Sequence, residues 1–185
     1  MLLRPGGTKL SMTSRLVGHS SYITHLDWSS DGRLLRSTGG DYEILFWDAE
    51  EGKLFADNAG DCKWATNSVN LGFNLMGIWP PCTDGTDIKQ VDVSRDQSLV
   101  VTAGDSGKVT VFNYPCVAKN APGVVGSGHA SFVTGVKIIH EGLTPTMIIS
   151  SGGEDTSVML WAIDSAQSVR KSSKEIMRQY NNALI

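Results

Sequence analysis

Two stretches of this chain carry the same spaced set of polar and aromatic residues, and this repetition constrains the fold more than any other feature of the sequence. Each stretch opens with a Gly-His pair and continues through an alternating apolar run to a serine, an aspartate and a tryptophan. The aspartate lies four residues after the serine and six before the tryptophan in both. The two sets are His19, Ser37, Asp41 and Trp47 in one copy and His129, Ser151, Asp155 and Trp161 in the other.

A weaker third copy lies between these two and ends at Val111-Phe112. Aligned on the expected strands, Asp84 takes the place of the histidine, Thr102 of the serine, Ser106 of the aspartate and Phe112 of the tryptophan. Repeats that open on Gly-His and close on Trp-Asp are typical of WD-type β-propeller blades, each a meander of four short strands. The sequence therefore predicts an all-β fold of about three WD40-type β-propeller blades, which is an incomplete propeller.

The boundaries of the blades follow from turn residues and from alternating hydrophobicity. Asp31-Gly32 is a tight-turn signal between two alternating runs. Beyond the blades, Ile176, Tyr180 and Leu184 recur every four residues, as in an amphipathic helix. The predicted segments are a flexible lead-in at 1–14, blades at about 15–60, 80–118 and 125–164, extra strands at 62–79, and a helical or disordered tail at 165–185.

Charge and composition exclude several classes of protein. The net charge of −3 does not favour binding to nucleic acid. No apolar run approaches the roughly 20 residues that a membrane helix needs, so we expect no membrane partner. The three cysteines are widely spaced and form no Cys-x-x-Cys pair, as is usual for reduced thiols of a cytoplasmic protein.

The repeated Ser-His-Asp sets invite comparison with a hydrolase triad, but a structural role is the better interpretation. The set occurs twice in one chain and ends each time on a tryptophan, whose indole N–H can bond the serine. A Gly-x-Ser-x-Gly nucleophile elbow is absent from the sequence. We therefore interpret the residues as two hydrogen-bonded structural tetrads and expect no catalytic residue.

Other candidate sites in the sequence are weak. His25 and His140 stand without a second ligand at metal spacing, so we expect no metal site. The glycine-rich segments 37–40 and 151–153 lack the Lys-Ser/Thr of a phosphate-binding loop. The sequence predicts no cofactor.

Several specific runs resemble the echinoderm microtubule-associated protein-like family, in the same order and in its C-terminal blades. The runs are Gly18 to Ser29, Gly40 to Asp48, Trp64 to Thr66, Leu71 to Phe73, Gly77 to Pro80, Asp84 to Ile88 and Tyr114 to Cys116. The resemblance covers roughly residues 16–163 and accounts for the insertion at 62–79, which fits no ordinary blade. It implies a non-enzymatic cytoskeletal protein that associates with tubulin, microtubules or other microtubule-associated proteins, in the cytoplasm and in cilia or axonemes.

Three blades raise a problem of closure, because propellers close with about four to eight blades. We expect another chain, a second copy or an upstream portion to complete the ring, and an axoneme-like assembly would supply such a partner. The alternative function, of another class, is a generic WD40 scaffold that recruits a peptide partner in signalling or protein turnover.

Overall fold

The computed structural model describes residues 11–57, 59–60, 62–84 and 87–163. The predicted tail at 165–185 and most of the predicted lead-in lie outside these residues. The chain divides into two compact units, residues 1–66 and 67–185. In the described part of the chain, no helix has the length and apolar character needed to cross a membrane.

The first unit contains one antiparallel sheet of four strands, which we call blade 1. Tight turns separate its strands, and glycine lies in the left-handed region at two of them, Gly32 (φ 74°) and Gly52 (φ 67°). The strands pair in sequence order. They are β1 (Ile23–Trp28), β2 (Leu34–Gly39), β3 (Ile44–Asp48) and β4 (Lys53–Leu54).

A segment after blade 1 continues its sheet beyond β1. Trp64 forms a β-bridge with Ser29. The Thr66 hydroxyl donates a 2.6 Å hydrogen bond to the buried Asp27 carboxylate, and the Arg36 guanidinium lies 4.4 Å from the centre of the Trp64 ring. This part of the predicted extra strands at 62–79 thus forms one β-bridge rather than a strand, held by backbone and side-chain hydrogen bonds.

The prediction of extra strands is wrong for Phe73–Ile78, which forms a 3₁₀ helix. Gly72 turns the chain into it with a φ of 127°, a conformation that side chains rarely adopt. Two apolar side chains of this helix, Leu75 and Ile78, pack with Val91 and Val93 of the following sheet. The alternating run suggested a strand, but its buried residues are three apart, as on one side of a 3₁₀ helix.

The second unit contains two sheets, blade 2 and blade 3. Blade 2 comprises β5 (Ile88–Val93), β6 (Leu99–Gly104), β7 (Lys108–Asn113) and β8 (Val124–Ser127). Blade 3 comprises β9 (Val133–Glu141), β10 (Thr144–Gly152) and β11 (Val158–Ala162). The described part of the chain therefore forms three antiparallel sheets of four, four and three strands, which confirms the predicted fold class.

One predicted blade boundary is displaced. The sequence repeat placed residues 125–164 in the third blade, whereas β8 pairs with β7 and completes blade 2. A sequence repeat and a structural blade are offset here, because the segment that leads into a Gly-His pair forms the outer strand of the preceding sheet.

Blades 2 and 3 pack face to face. The shared core contains Val101, Ala103 and Val109 of blade 2 with Val136 and Ile138 of blade 3. Polar side chains of β5 close the same interface. The Asp92 carboxylate accepts a 2.8 Å bond from the Ile138 N–H, and the Gln90 carbonyl accepts one of 3.1 Å from the Val136 N–H.

Candidate functional site

Blade 1 holds a chain of hydrogen bonds that begins at its entering loop. His19 Nδ1 lies 2.7 Å from Asp41 Oδ2, and its Nε2 lies 2.7 Å from Ser37 Oγ. The Trp47 indole N–H donates to the same serine oxygen at 2.7 Å. All four predicted residues thus meet, and the His19 and Asp41 side chains are 3% and 4% exposed.

The glycine before the histidine makes this approach possible. A Cβ on Gly18 would lie 2.9 Å from Cη2 of Trp47, closer than real Cβ atoms come to neighbouring atoms. The loop therefore lies directly on the indole ring, which brings the imidazole within reach of Ser37. This contact explains why the Gly-His pair and the tryptophan recur together.

Blade 3 contains the same network with one correction to the predicted residues. His129 Nδ1 lies 2.7 Å from Asp155 Oδ2, but its Nε2 bonds Ser150 Oγ at 2.8 Å rather than Ser151. The Trp161 indole N–H also donates to Ser150 Oγ, at 2.8 Å. Ser151 lies on the other side of the strand, where its hydroxyl is 3.1 Å from that of Thr134.

The strand register explains why Ser150 replaces Ser151. Ser37 lies two residues after the partner of Trp47 on β2, and Ser150 lies two residues after the partner of Trp161 on β10. The turn that follows is one residue longer in blade 3, so equal spacing to the aspartate selected the wrong serine. Two adjacent serines, Ser150 and Ser151, precede this turn, so the sequence alone is compatible with either of them at the tetrad position.

Hydrogen bonds keep the two aspartates ionised. Burial raises the pKa of Asp41, but the bond with His19 and the N–H groups of Glu43 and Ser20 outweigh burial and hold the pKa below its ordinary value of 3.8. The corresponding groups of blade 3 lower the pKa of Asp155 in the same way. Each aspartate thus fixes the orientation of an imidazole with a carboxylate.

The geometry limits what the serine oxygen can do. Ser37 Oγ is already bonded to an imidazole and an indole, and the residue is buried. A nucleophilic serine needs an open approach to its oxygen and donors for the developing oxyanion. The arrangement is instead suited to a structural role, in which hydrogen bonds hold the entering loop against strands β2 and β3.

Blade 2 carries the substituted version of this site. Thr102 is buried at the serine position, and its hydroxyl has a long 3.4 Å bond to the Thr110 carbonyl. Phe112 pairs with Val100, as the tryptophans pair with their strand partners. The Asp84 N–H bonds the Asp87 carboxylate within its own loop.

The remaining candidate residues lie apart from these networks. His25 Nδ1 is 2.9 Å from the Thr24 hydroxyl, and His140 Nε2 accepts a 3.1 Å bond from the Arg95 N–H. Across the described residues, no three His, Cys, Asp or Glu side chains group closely enough to hold a metal ion. Cys62, Cys82 and Cys116 are free thiols.

Meandering sheets fastened by His-Ser-Asp-Trp networks define a protein of the WD-repeat β-propeller class. The model of the echinoderm microtubule-associated protein second β-propeller matches residues 6–163. The chain belongs to the echinoderm microtubule-associated protein-like family.

Named relatives agree with this assignment. Echinoderm microtubule-associated protein-like 3 of Mus musculus is 44% identical over 165 residues, which cover 88% of this chain and 18% of that protein. Echinoderm microtubule-associated protein-like 2 of Rattus norvegicus is 44% identical over 160 residues, covering 85% of this chain and 24% of that protein. The chain thus spans no more than about a quarter of the length of the curated relatives it matches.

A solved structure bears on the fold alone. The crystal structure of the computationally designed Ika4 protein matches with a TM-score of 0.50 and 19% identity, over 84% of this chain and 100% of that chain.

Proposed function

We propose that this chain is a non-enzymatic structural β-propeller module that binds microtubules or microtubule-bound proteins, in an axoneme-like assembly of the cytoskeleton. Membership of the family supports the microtubule partner, since its relatives carry microtubule association in their names. The observation that supports a role in binding other protein surfaces is a pair of exposed apolar faces, one on blade 1 and one on blade 3.

The first of these faces lies on β1 of blade 1. Leu26 and Trp28 are 57% and 43% exposed, whereas the residues in the same register of blade 3, Val136 and Ile138, are 2% and 7% exposed. In blade 3 a neighbouring blade covers that face. The apolar character of Leu26 and Trp28 therefore fits a position against another blade.

The second face lies on blade 3. Val158 is 67% exposed, whereas Val109, which has the same register in blade 2, is 2% exposed at the interface with blade 3. Leu160 on the same strand is 47% exposed. Blade 3 thus presents the kind of surface that blade 2 buries against its neighbour.

We propose that further blades cover both faces, supplied by another chain, a second copy or an upstream portion of a longer protein. A blade is the occupant that fits, because the interface of blades 2 and 3 displays the matching chemistry: valine side chains beside strand-to-strand polar bonds. In this proposal the two tetrads stiffen the blades and take no part in catalysis.

Co-sedimentation with taxol-stabilised microtubules tests the microtubule partner. We expect the chain to pellet with a micromolar Kd. The control is the double variant Ser37→Ala and Ser150→Ala, in which both tetrads are weakened. The amount that pellets is compared between the two proteins at equal concentrations of folded protein. Failure to pellet, together with capture of a specific peptide ligand, would favour the generic WD40 scaffold instead.

Completion of the ring has a separate test in sedimentation velocity. We expect the isolated chain to self-associate or to require a blade-bearing partner. Replacing Leu26 and Val158 with glutamate should reduce association, whereas glutamate at the exposed Val124 should not. A clean, well-folded monomer of the unmodified chain would contradict completion.

A further inference from the structure

Blade 2 has no histidine at its tetrad: Asp84 takes that place in the sequence alignment, and the structure places residues at the other three positions. Thr102 and Phe112 occupy the serine and tryptophan positions by strand register. Ser106 occupies the aspartate position, because its hydroxyl accepts the N–H two residues later, as Asp41 and Asp155 do in their turns. The four histidines of the sequence are His19, His25, His129 and His140, so none can come from the segment that leads into blade 2.

A cavity of about 610 Å³ lies beside these three residues. Thr102, Ser106 and Phe112 line it together with Trp79 and Pro80 of the preceding segment. Cavities of about 300–1,000 Å³ with apolar walls and a few polar groups are typical ligand sites. The cavity is therefore large enough for an imidazole ring and for part of the chain that carries it.

We propose that this cavity binds the imidazole side chain of a histidine in an extended segment of a partner protein. The sister blades display the recognition chemistry. In each, an imidazole nitrogen lies 2.7–2.8 Å from the strand hydroxyl, and the ring lies with its centre 6.1 or 6.4 Å from that of the tryptophan. Thr102 and Phe112 supply the corresponding hydroxyl and aromatic ring.

The change from aspartate to serine determines the form of the ligand. Asp41 and Asp155 present a carboxylate to the imidazole, whereas Ser106 presents a hydroxyl that both donates and accepts. Neutral imidazole has one donor and one acceptor and can bond two hydroxyls at once. The 3.4 Å bond from the Thr102 hydroxyl to the Thr110 carbonyl is long and therefore weak, so the hydroxyl can exchange it for a shorter bond to the imidazole.

The remaining wall favours a peptide over a free heterocycle. Trp79, Pro80 and Pro81 line the cavity and present flat apolar surface, and Asn120 adds an amide that can bond a peptide group. An isolated five-membered ring would leave most of this surface uncovered. The site is separate from the two exposed blade faces, so its test does not involve microtubules or closure of the ring.

The experiment is a titration of the ¹⁵N-labelled full chain with the peptide acetyl-Gly-His-Gly-amide at about pH 8, where the imidazole is mostly neutral. We expect saturable shifts at the amides of Thr102, Gly104 and Phe112 with a millimolar Kd. Acetyl-Gly-Leu-Gly-amide is the matched control and should give no saturable shift. Free imidazole should bind at least about fivefold more weakly, because it makes fewer contacts.

Two variants separate the proposed site from weak surface binding. Thr102→Val keeps the side-chain volume and removes the hydroxyl, so binding should weaken about fivefold, as for one lost hydrogen bond. Phe112→Trp fills the cavity, and it should abolish binding and raise the melting temperature. Thr134→Val, at an exposed threonine of blade 3, should change nothing.

Three results would overturn the proposal. The first is the absence of saturable shifts, and the second is equal affinity in the unmodified chain and in Thr102→Val. The third is binding of free imidazole as tight as that of the peptide, which would indicate a small-molecule site. Thr102→Val keeps the test decisive if Phe112→Trp fails to fold.

Discussion

Leu26 and Val136 occupy the same position in the first strands of their blades, each opposite the serine of its tetrad, yet they differ in environment. Leu26 pairs with Ser37 and is 57% exposed, whereas Val136 pairs with Ser150 and is 2% exposed. The core of blades 2 and 3 surrounds Val136. The position is thus apolar in both blades but is buried only in blade 3, against blade 2.

This difference predicts losses of unequal size when the two side chains are shortened. Val136→Ala should lower the free energy of unfolding by about 1–3 kcal/mol, because it removes methyl groups from a packed core. Leu26→Ala should cost less than about 1 kcal/mol, since water already covers much of the side chain. Urea denaturation followed by circular dichroism measures both. Equal losses would show that Leu26 contributes as much to folding as its buried counterpart.

The two adjacent serines of blade 3 provide a second prediction. Ser150→Ala should lower the free energy of unfolding by about 1–3 kcal/mol, because the buried imidazole and indole lose their common partner. Ser151→Ala should change the free energy of unfolding by no more than about 0.5 kcal/mol, since the Ser151 hydroxyl bonds the hydroxyl of the exposed Thr134. The same urea experiment decides, and a larger loss in Ser151→Ala would contradict the register of β10.

The strands and most of the two networks could be predicted because they depend on local, repeated signals. Gly-His pairs, turn glycines and Trp residues recur at nearly fixed spacing, and strand alternation places them on one face. Ser150 was missed because one added turn residue, Glu154, shifts the spacing while the pairing of Trp161 with Ile148 stays the same. Register, unlike spacing, requires knowledge of the partner strand.

The 3₁₀ helix and the blade 2 cavity could not be predicted for a different reason. Phe73–Ile78 alternates apolar residues as a strand does, and its true state depends on packing of Leu75 and Ile78 against blade 2. The cavity arises where several non-adjacent segments fail to fill the place beside Phe112. Such tertiary features leave no periodic signal in the sequence.

Acid should weaken the tetrads in a defined direction. Asp41 and Asp155 have folded pKa values below the ordinary 3.8, so their contribution to stability is complete above that value and is lost as the pH falls through the folded pKa. We expect Asp155→Asn to be less stable than the unmodified chain at about pH 5, and the difference to shrink at about pH 3.

Urea denaturation at the two pH values measures this difference. Asp57→Asn serves as the control, because Asp57 is an exposed aspartate outside the networks. A difference between Asp155→Asn and the unmodified chain that stays constant or grows on acidification would contradict a lowered pKa at Asp155.

The interface of blades 2 and 3 gives the last prediction, because Asp92 bonds both a buried and an exposed donor there. Its carboxylate accepts the Ile138 N–H at 2.8 Å and the Lys137 ammonium at 2.7 Å, and the lysine side chain is 53% exposed. Asp92→Ala should lower the free energy of unfolding by about 1–3 kcal/mol, because the backbone donor loses its partner inside the interface.

Lys137→Ala removes only the exposed ion pair and should cost less than about 1 kcal/mol. Amide hydrogen exchange at Ile138 provides the decisive second readout, since exchange should accelerate in Asp92→Ala and remain slow in Lys137→Ala. If both variants lost stability equally and Ile138 stayed protected in both, the ion pair rather than the backbone bond would hold the two blades together at Asp92.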